Sequence, residues 1–168
     1  NLTGNSVILG DGDDTSTISN SSNINNEIQG DAGADTITID GTGNNSNSIY
    51  GDTGNDVLTV GGTLNTDNTL HGGFGDDTFN INGTDLSGNT IKDTYGNDTV
   101  NISNTNNDNN VIDTGDNNDL VNITGSSNDS NTIDTGFGTD TVDLGGDANI
   151  NNVVSTGVDA DTVNITGT

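Results

Sequence analysis

Apolar residues in this chain keep to every second position over short stretches. Thr78-Phe79-Asn80-Ile81 is one such stretch, and Thr99-Val100-Asn101-Ile102 another. Alternation of period two marks a strand with one face buried. The stretches recur at one fixed spacing along the chain. One buried column reads Ser16, Ile37, Leu58, Phe79, Val100, Val121, Val142, Val163, and the next Ile18, Ile39, Val60, Ile81, Ile102, Ile123, Leu144, Ile165. A third aliphatic column, on a second short strand, reads Ile28, Ile49, Leu70, Ile91, Ile112, Ile133, Val154. In the first copy Ile8 takes this place one residue late, which implies a one-residue deletion and a shortened first turn at GDGDD (10–14).

The period is twenty-one, too short for an independent unit but suited to one coil of a stack, built as strand, turn, strand, turn. The expected fold is all-β: a parallel β-solenoid (β-roll or β-helix) of eight coils, about 40 Å long at ~4.8 Å per coil. No linker interrupts it. We read 1–168 as a single solenoid with repeats near 6–25, 26–46, 47–67, 68–88, 89–109, 110–130, 131–151 and 152–168.

Polar columns keep the same period. Asn26, Asn47, Asn68, Asn89, Asn110, Asn131 and Asn152 each precede the third aliphatic column by two residues. Stacked in register, they predict an asparagine ladder. Gly41, Gly62, Gly83, Asn104, Gly125, Gly146 and Gly167 follow the second column by two, and Gly and Asn are the residues that visit positive φ most readily, so a turn is expected there. Eight aspartates, Asp14, Asp35, Asp56, Asp77, Asp98, Asp119, Asp140 and Asp161, close the glycine-rich stretches at the same spacing.

Composition changes the picture. Only 26% of the chain is hydrophobic, and 26 acidic residues face the single Lys92, giving a formal charge of −25. Few apolar residues with high net charge are the signature of disorder, unless a regular stack organises the former and cations neutralise the latter. The charge argues against nucleic acid and anionic membranes as partners, and no apolar run reaches the length of a membrane span. The chain begins at Asn1 without methionine, which reads as a mature product or an excised segment, and it has no cysteine. These features fit a secreted, extracellular or cell-surface protein.

A parallel stack puts the eight aspartates in one row. Neighbouring charges ~5 Å apart repel by roughly 3 kcal/mol at an effective dielectric of 20. Divalent cations between successive coils would remove that repulsion and add folding free energy. Carboxylates and turn carbonyls are hard oxygen donors suited to calcium, whereas zinc, copper and iron lack their usual partners in a chain with no cysteine and only His71.

GGFGDDTFN (72–80) fits the GGxGxDxUx nonapeptide, and GDAGADTIT (30–38) and GDTGNDVLT (51–59) differ from it by an aspartate for the second glycine. In these residues the chain resembles the RTX calcium-binding repeats. The resemblance implies a right-handed coil and a row of Ca²⁺ ions held between adjacent turns by Asp35, Asp56, Asp77 and Asp98. Asp31 and Asp52 stand beside them as candidate ligands, and Asp119, Asp140, Asp161 and Asp14 extend the row where the glycine pattern thins. RTX coils carry the nonapeptide twice, with a calcium row on both edges; the longer coil of this chain carries the motif on one edge, which implies a single row.

Two rival functions follow from other columns. Asp76–Asp77 or Asp13–Asp14 read as an acid/base pair would suggest an enzyme, but they belong to a repeating row, and the chain has no arginine to stabilise a developing negative charge. We expect no enzymatic activity. Thr15-x-Thr17, Thr36-x-Thr38, Thr78-x-Asn80, Thr99-x-Asn101 and Thr162-x-Asn164 flank the first buried column and suggest an ice-binding face. DTGND (52–56) is also similar to the turns of a calcium-dependent bacterial antifreeze family. Phe74, Tyr95 and Phe137 share a turn column and mark a candidate interface. The expected function is a calcium-stabilised structural repeat, a fibre subunit, surface-layer element or adhesin stalk. It would associate with itself end to end or laterally, with ice or surface glycans as other partners.

Overall fold

A computed structural model of the chain describes residues 1–167 and contains only strands, isolated bridges, turns and bends. Each coil contributes one strand to each of three parallel sheets, every sheet having eight strands in sequential order. In the third coil the strands are Asn44–Asn45 in sheet 1, Ser48–Thr53 in sheet 2 and Val57–Val60 in sheet 3. Register follows the sequence period throughout: Ile49 pairs with Leu70, and Leu58 with Phe79.

The parallel solenoid of about eight coils is therefore as the periodicity predicts, with one strand more per coil. The extra sheet 1 strands are two to four residues long and mostly polar, such as Asn23–Ile24 and Asn107–Asp108, so hydrophobic alternation gives no sign of them. Their inward side chains form a second asparagine column. Asn23 Nδ2 donates to Asn44 Oδ1 and Asn44 Nδ2 to Asn65 Oδ1, both at 2.8 Å. Leu86 then interrupts the column before it resumes at Asn107, Asn128 and Asn149.

The first coil is also of full length. Val7, not Ile8, pairs with Ile28, and Ile8 is 62% exposed opposite Gln29. Gly10 aligns with Asp31 and Asp11 with Ala32, so the first turn is not shortened. Two adjacent aliphatics competed for one column, and only register decides between them.

The three aliphatic columns meet in one continuous core. Ile28, Ile49, Leu58, Leu70, Phe79 and Val121 are wholly buried, each contributing ~1.5–3 kcal/mol. In the last coil Val163 and Ile165 occupy the same columns but are exposed, because no further coil covers them. Sharp corners separate the sheets. Between sheets 1 and 2 an unbroken column of Gly4, Asn25, Ser46, Asp67, Gly88, Asn109, Ser130 and Asn151 has φ from 53 to 66°. Each stands just before a ladder asparagine, so a Gly/Asn/Ser/Asp-Asn dipeptide recurs once per coil. The glycine column at the corner from sheet 3 to sheet 1 is less uniform: Gly41, Gly62, Gly146 and Gly167 take positive φ, whereas Gly83, Asn104 and Gly125 do not. Gly83 and Gly125 are held instead by close approach, since a Cβ there would run into the carbonyl of the preceding coil.

Candidate metal centre

The aspartate row stands at the corner where sheet 2 turns into sheet 3. Gly33, Gly54 and Gly75 take φ of 131 to 137° two residues before Asp35, Asp56 and Asp77, and the chain re-enters sheet 3 immediately after each aspartate. This reversal turns the carboxylates into the solenoid. Asp35, Asp56, Asp77, Asp98, Asp119 and Asp140 are between 1 and 3% exposed, and the terminal Asp14 and Asp161 are half-buried.

From Asp35 to Asp161 every Oδ1 has the same kind of partner, the backbone N–H of the aspartate one coil earlier. The backbone N–H of Asp35 donates to Asp56 Oδ1 at 2.7 Å, that of Asp56 to Asp77 Oδ1 at 2.7 Å, and so on from Asp14 to Asp161 over 2.7–3.0 Å. The other oxygen is different. Oδ2 of each of the six buried members has no hydrogen-bond partner. A buried polar atom left unpaired costs ~1–3 kcal/mol, and more when it carries charge.

Electrostatics follow from this burial. Desolvation is the main cause that raises the Asp56 and Asp119 carboxyls to about 6 and Asp98 to about 7; the nearby Thr114 hydroxyl opposes it at Asp119, the backbone N–H each accepts also pulls down, and neighbouring row members push up. Asp77 is raised for the same leading reason. Exposed Asp76 goes the other way, lowered by the Asn97 backbone and side-chain amides that donate to it.

The glycines before the row have a purpose that spacing did not reveal. A Cβ on Gly30 would collide with Asp35 Oδ2, one on Gly51 with Asp56 Oδ2, and one on Gly72 with Asp77 Oδ2. In the next coils this column holds Asp93, Thr114 and Thr135, all buried. Asp93 was not among the residues expected from the sequence. Its signal there was an acid one repeat after Gly72, in a column that holds glycine at 30, 51 and 72. Burial, its leading cause, pushes the Asp93 carboxyl up to about 8. Asp31 and Asp52 lie outside the row: they are half-buried at the corner with φ of 73 and 74°, and Asp52 Oδ2 accepts only a long 3.5 Å contact from Gln29 Nε2.

Phe74, Tyr95 and Phe137 do form one column, paired through Asp116 and ending at Val158. All three are exposed, and the Phe74 and Tyr95 rings stack with centroids 5.4 Å apart. Lys92 points away from the row to an exposed contact with Asp113 at 3.2 Å.

No protein-family model, curated protein or solved structure matches the chain. The likeness to RTX repeats rests on the residues of the turns and on a coil compatible with a β-roll.

The donors along the row are all carboxylate oxygens, arranged in line and screened from water. Such an array fits hard cations, which need oxygen ligands, and it fits protons. With six orphaned oxygens in line, an occupant gains an unpaired acceptor at each step.

Proposed function

We propose that this chain is a calcium-stabilised structural repeat of the cell exterior, a segment of a fibre, surface layer or adhesin stalk, with the aspartate row as its cation-binding spine. The observation that carries this reading is the line of six buried Asp Oδ2 atoms without partners. Calcium between successive coils offsets both the desolvation and the mutual repulsion of the row, so binding free energy becomes folding free energy. The chain then stays extended where calcium is scarce and folds where it is abundant. Self-association belongs to the same reading, and the exposed Phe74–Tyr95–Phe137 column is the surface that supports a lateral contact.

Far-UV circular dichroism during calcium titration of EDTA-treated protein tests this. A cooperative passage from coil to β signal is expected. A β signal indifferent to chelation overturns it.

One observation favours a second reading. On the outer face of sheet 3, Thr17, Thr38 and Thr59 align in register and continue as Asn80, Asn101 and Asn122, beside Thr15, Thr36, Thr78 and Thr99. A regular hydroxyl and amide array of this kind suits ice. Thermal hysteresis separates the two: none for a structural rod, a measurable gap for an ice binder.

A further inference from the structure

We propose that Asp77, Asp93 and Asp98 form a discrete buried site for one hard divalent cation, at the joint between the fourth and fifth coils. One carboxylate oxygen from each lies within 4.8 Å of the other two. Among the described residues this is the one such convergence of three acidic side chains.

The arrangement is more than a cluster of acids, because the pairing of each residue is already decided. Asp93 Oδ1 accepts the N–H of Gly73 at 2.8 Å and that of Thr94 at 2.6 Å. Asp77 Oδ1 accepts from Asp56 N–H, and Asp98 Oδ1 from Asp77 N–H. The three Oδ2 atoms are left over, each without a hydrogen-bond partner on a side chain no more than 2% exposed. When all three are ionised they only accept hydrogen bonds, so they cannot then satisfy one another, and either a proton or a cation must stand between them. Gly72 keeps the space open: a Cβ on it would strike Oδ2 of both Asp77 and Asp93.

The site is singular within the repeat. Glycine fills the Asp93 position at 72, 51 and 30 in the three coils before it and Leu9 in the first, and threonine fills it at 114, 135 and 156 in the coils after it. None of those coils therefore adds a second carboxylate beside the row. Oxygens gathered this closely can share an ion at the ~2.3–2.6 Å typical of calcium. Magnesium usually keeps several of its waters, which a site this well buried disfavours. The site borrows Asp77 and Asp98 from the row but does not require the row to be filled elsewhere.

Calorimetric titration of the chelated full chain with calcium alone tests the proposal. Affinity rises with ligand charge count, so one ion should bind at least about tenfold more tightly than any other. Asp93→Asn should remove that step and lower the stoichiometry by one, and Asp93→Gly, which restores the residue of the earlier coils, should do the same. Exposed Asp76→Asn should retain it. If the row reading fails but this one holds, wild type binds one ion and Asp93→Asn none. An Asp93→Asn isotherm identical to wild type, or a wild type that binds no ion, overturns the site and leaves shared protons as its occupants. A second readout needs no variant. Substoichiometric Mn²⁺, another hard cation, should first broaden the amide NMR signals of Gly73, Thr94 and Asp98; earlier broadening elsewhere overturns the assignment.

Discussion

Two columns of nearly isosteric side chains run the length of this solenoid, and they solve the same problem differently. In the asparagine column the N–H of each residue donates to Oδ1 of the next at 2.9–3.1 Å, the same bond that the aspartate row makes at 2.7–3.0 Å. The second atom separates them. Asn47 Nδ2 donates both to Asn68 Oδ1 at 2.9 Å and to the carbonyl of Asn23 at 2.8 Å, so the ladder completes itself. The corresponding Oδ2 of Asp56 meets nothing. Changing one NH₂ to one O⁻ converts a self-sufficient staple into a line of acceptors that must be completed from outside.

The largest effect should come from breaking the complete column. Asn68→Ala removes the acceptor of Asn47 N–H and Nδ2 and the donor to the Asn44 carbonyl, all deep in the stack. At ~1–3 kcal/mol per buried group left unpaired, the loss should be about 4 kcal/mol or more, read from the denaturant midpoint. A loss below about 1 kcal/mol would mean that the ladder is decorative.

The incomplete column should respond to pH instead. Asp56, Asp93, Asp98 and Asp119 have carboxyls raised by burial to between about 6 and about 8. The folded chain therefore binds more protons than the unfolded one, and its stability falls as pH rises from the ordinary carboxylate range through those values. Metal-free protein should lose a few kcal/mol between about pH 5 and about pH 8, and calcium should restore them. Stability rising over that interval in the presence of chelator would contradict the burial of ionisable oxygens.

Exchanging the two columns sharpens the contrast. Asp56→Asn keeps the bond from Asp35 N–H and removes one buried charge, so on raising the pH of chelated protein the variant should hold its β signal to a higher pH than wild type, a gain of ~1–3 kcal/mol. With calcium present the sign should reverse. A substitution neutral under both conditions would remove the row from any role in cation binding. The smallest effect belongs to the end of the ladder. Asn5 accepts from no earlier coil and only donates to Asn26 Oδ1, so Asn5→Ala should cost ~0.5–1.5 kcal/mol in a thermal melt. A cost equal to that at Asn68 would show that rungs are worth the same everywhere.

Much of this was legible in the chain. The repeat length, the parallel stack, the core columns and the asparagine ladder all follow from residue type at fixed spacing, because a stack turns sequence period directly into contact. The ladder is one rung longer than expected, beginning at Asn5, and the row extends to both ends as the spacing implies. Sheet 1 escaped notice since its buried residues are mostly asparagines, which carry no hydrophobic signal. The choice of Val7 over Ile8 escaped for a related reason: both are aliphatic, and only pairing with Ile28 separates them.

The sequence by itself determined which residues share a column; it did not determine which way a column faces. Spacing puts the aspartates of the glycine-rich turns in one row, and the backbone reversal at Gly33, Gly54 and Gly75 carries that row inward, where one oxygen is bonded and the other is not. Only the tertiary structure sets Asp93 between Asp77 and Asp98, because that meeting joins two neighbouring coils around the space left by Gly72. Periodicity records what repeats. A site made by one residue that departs from the repeat becomes visible only when the coils are stacked.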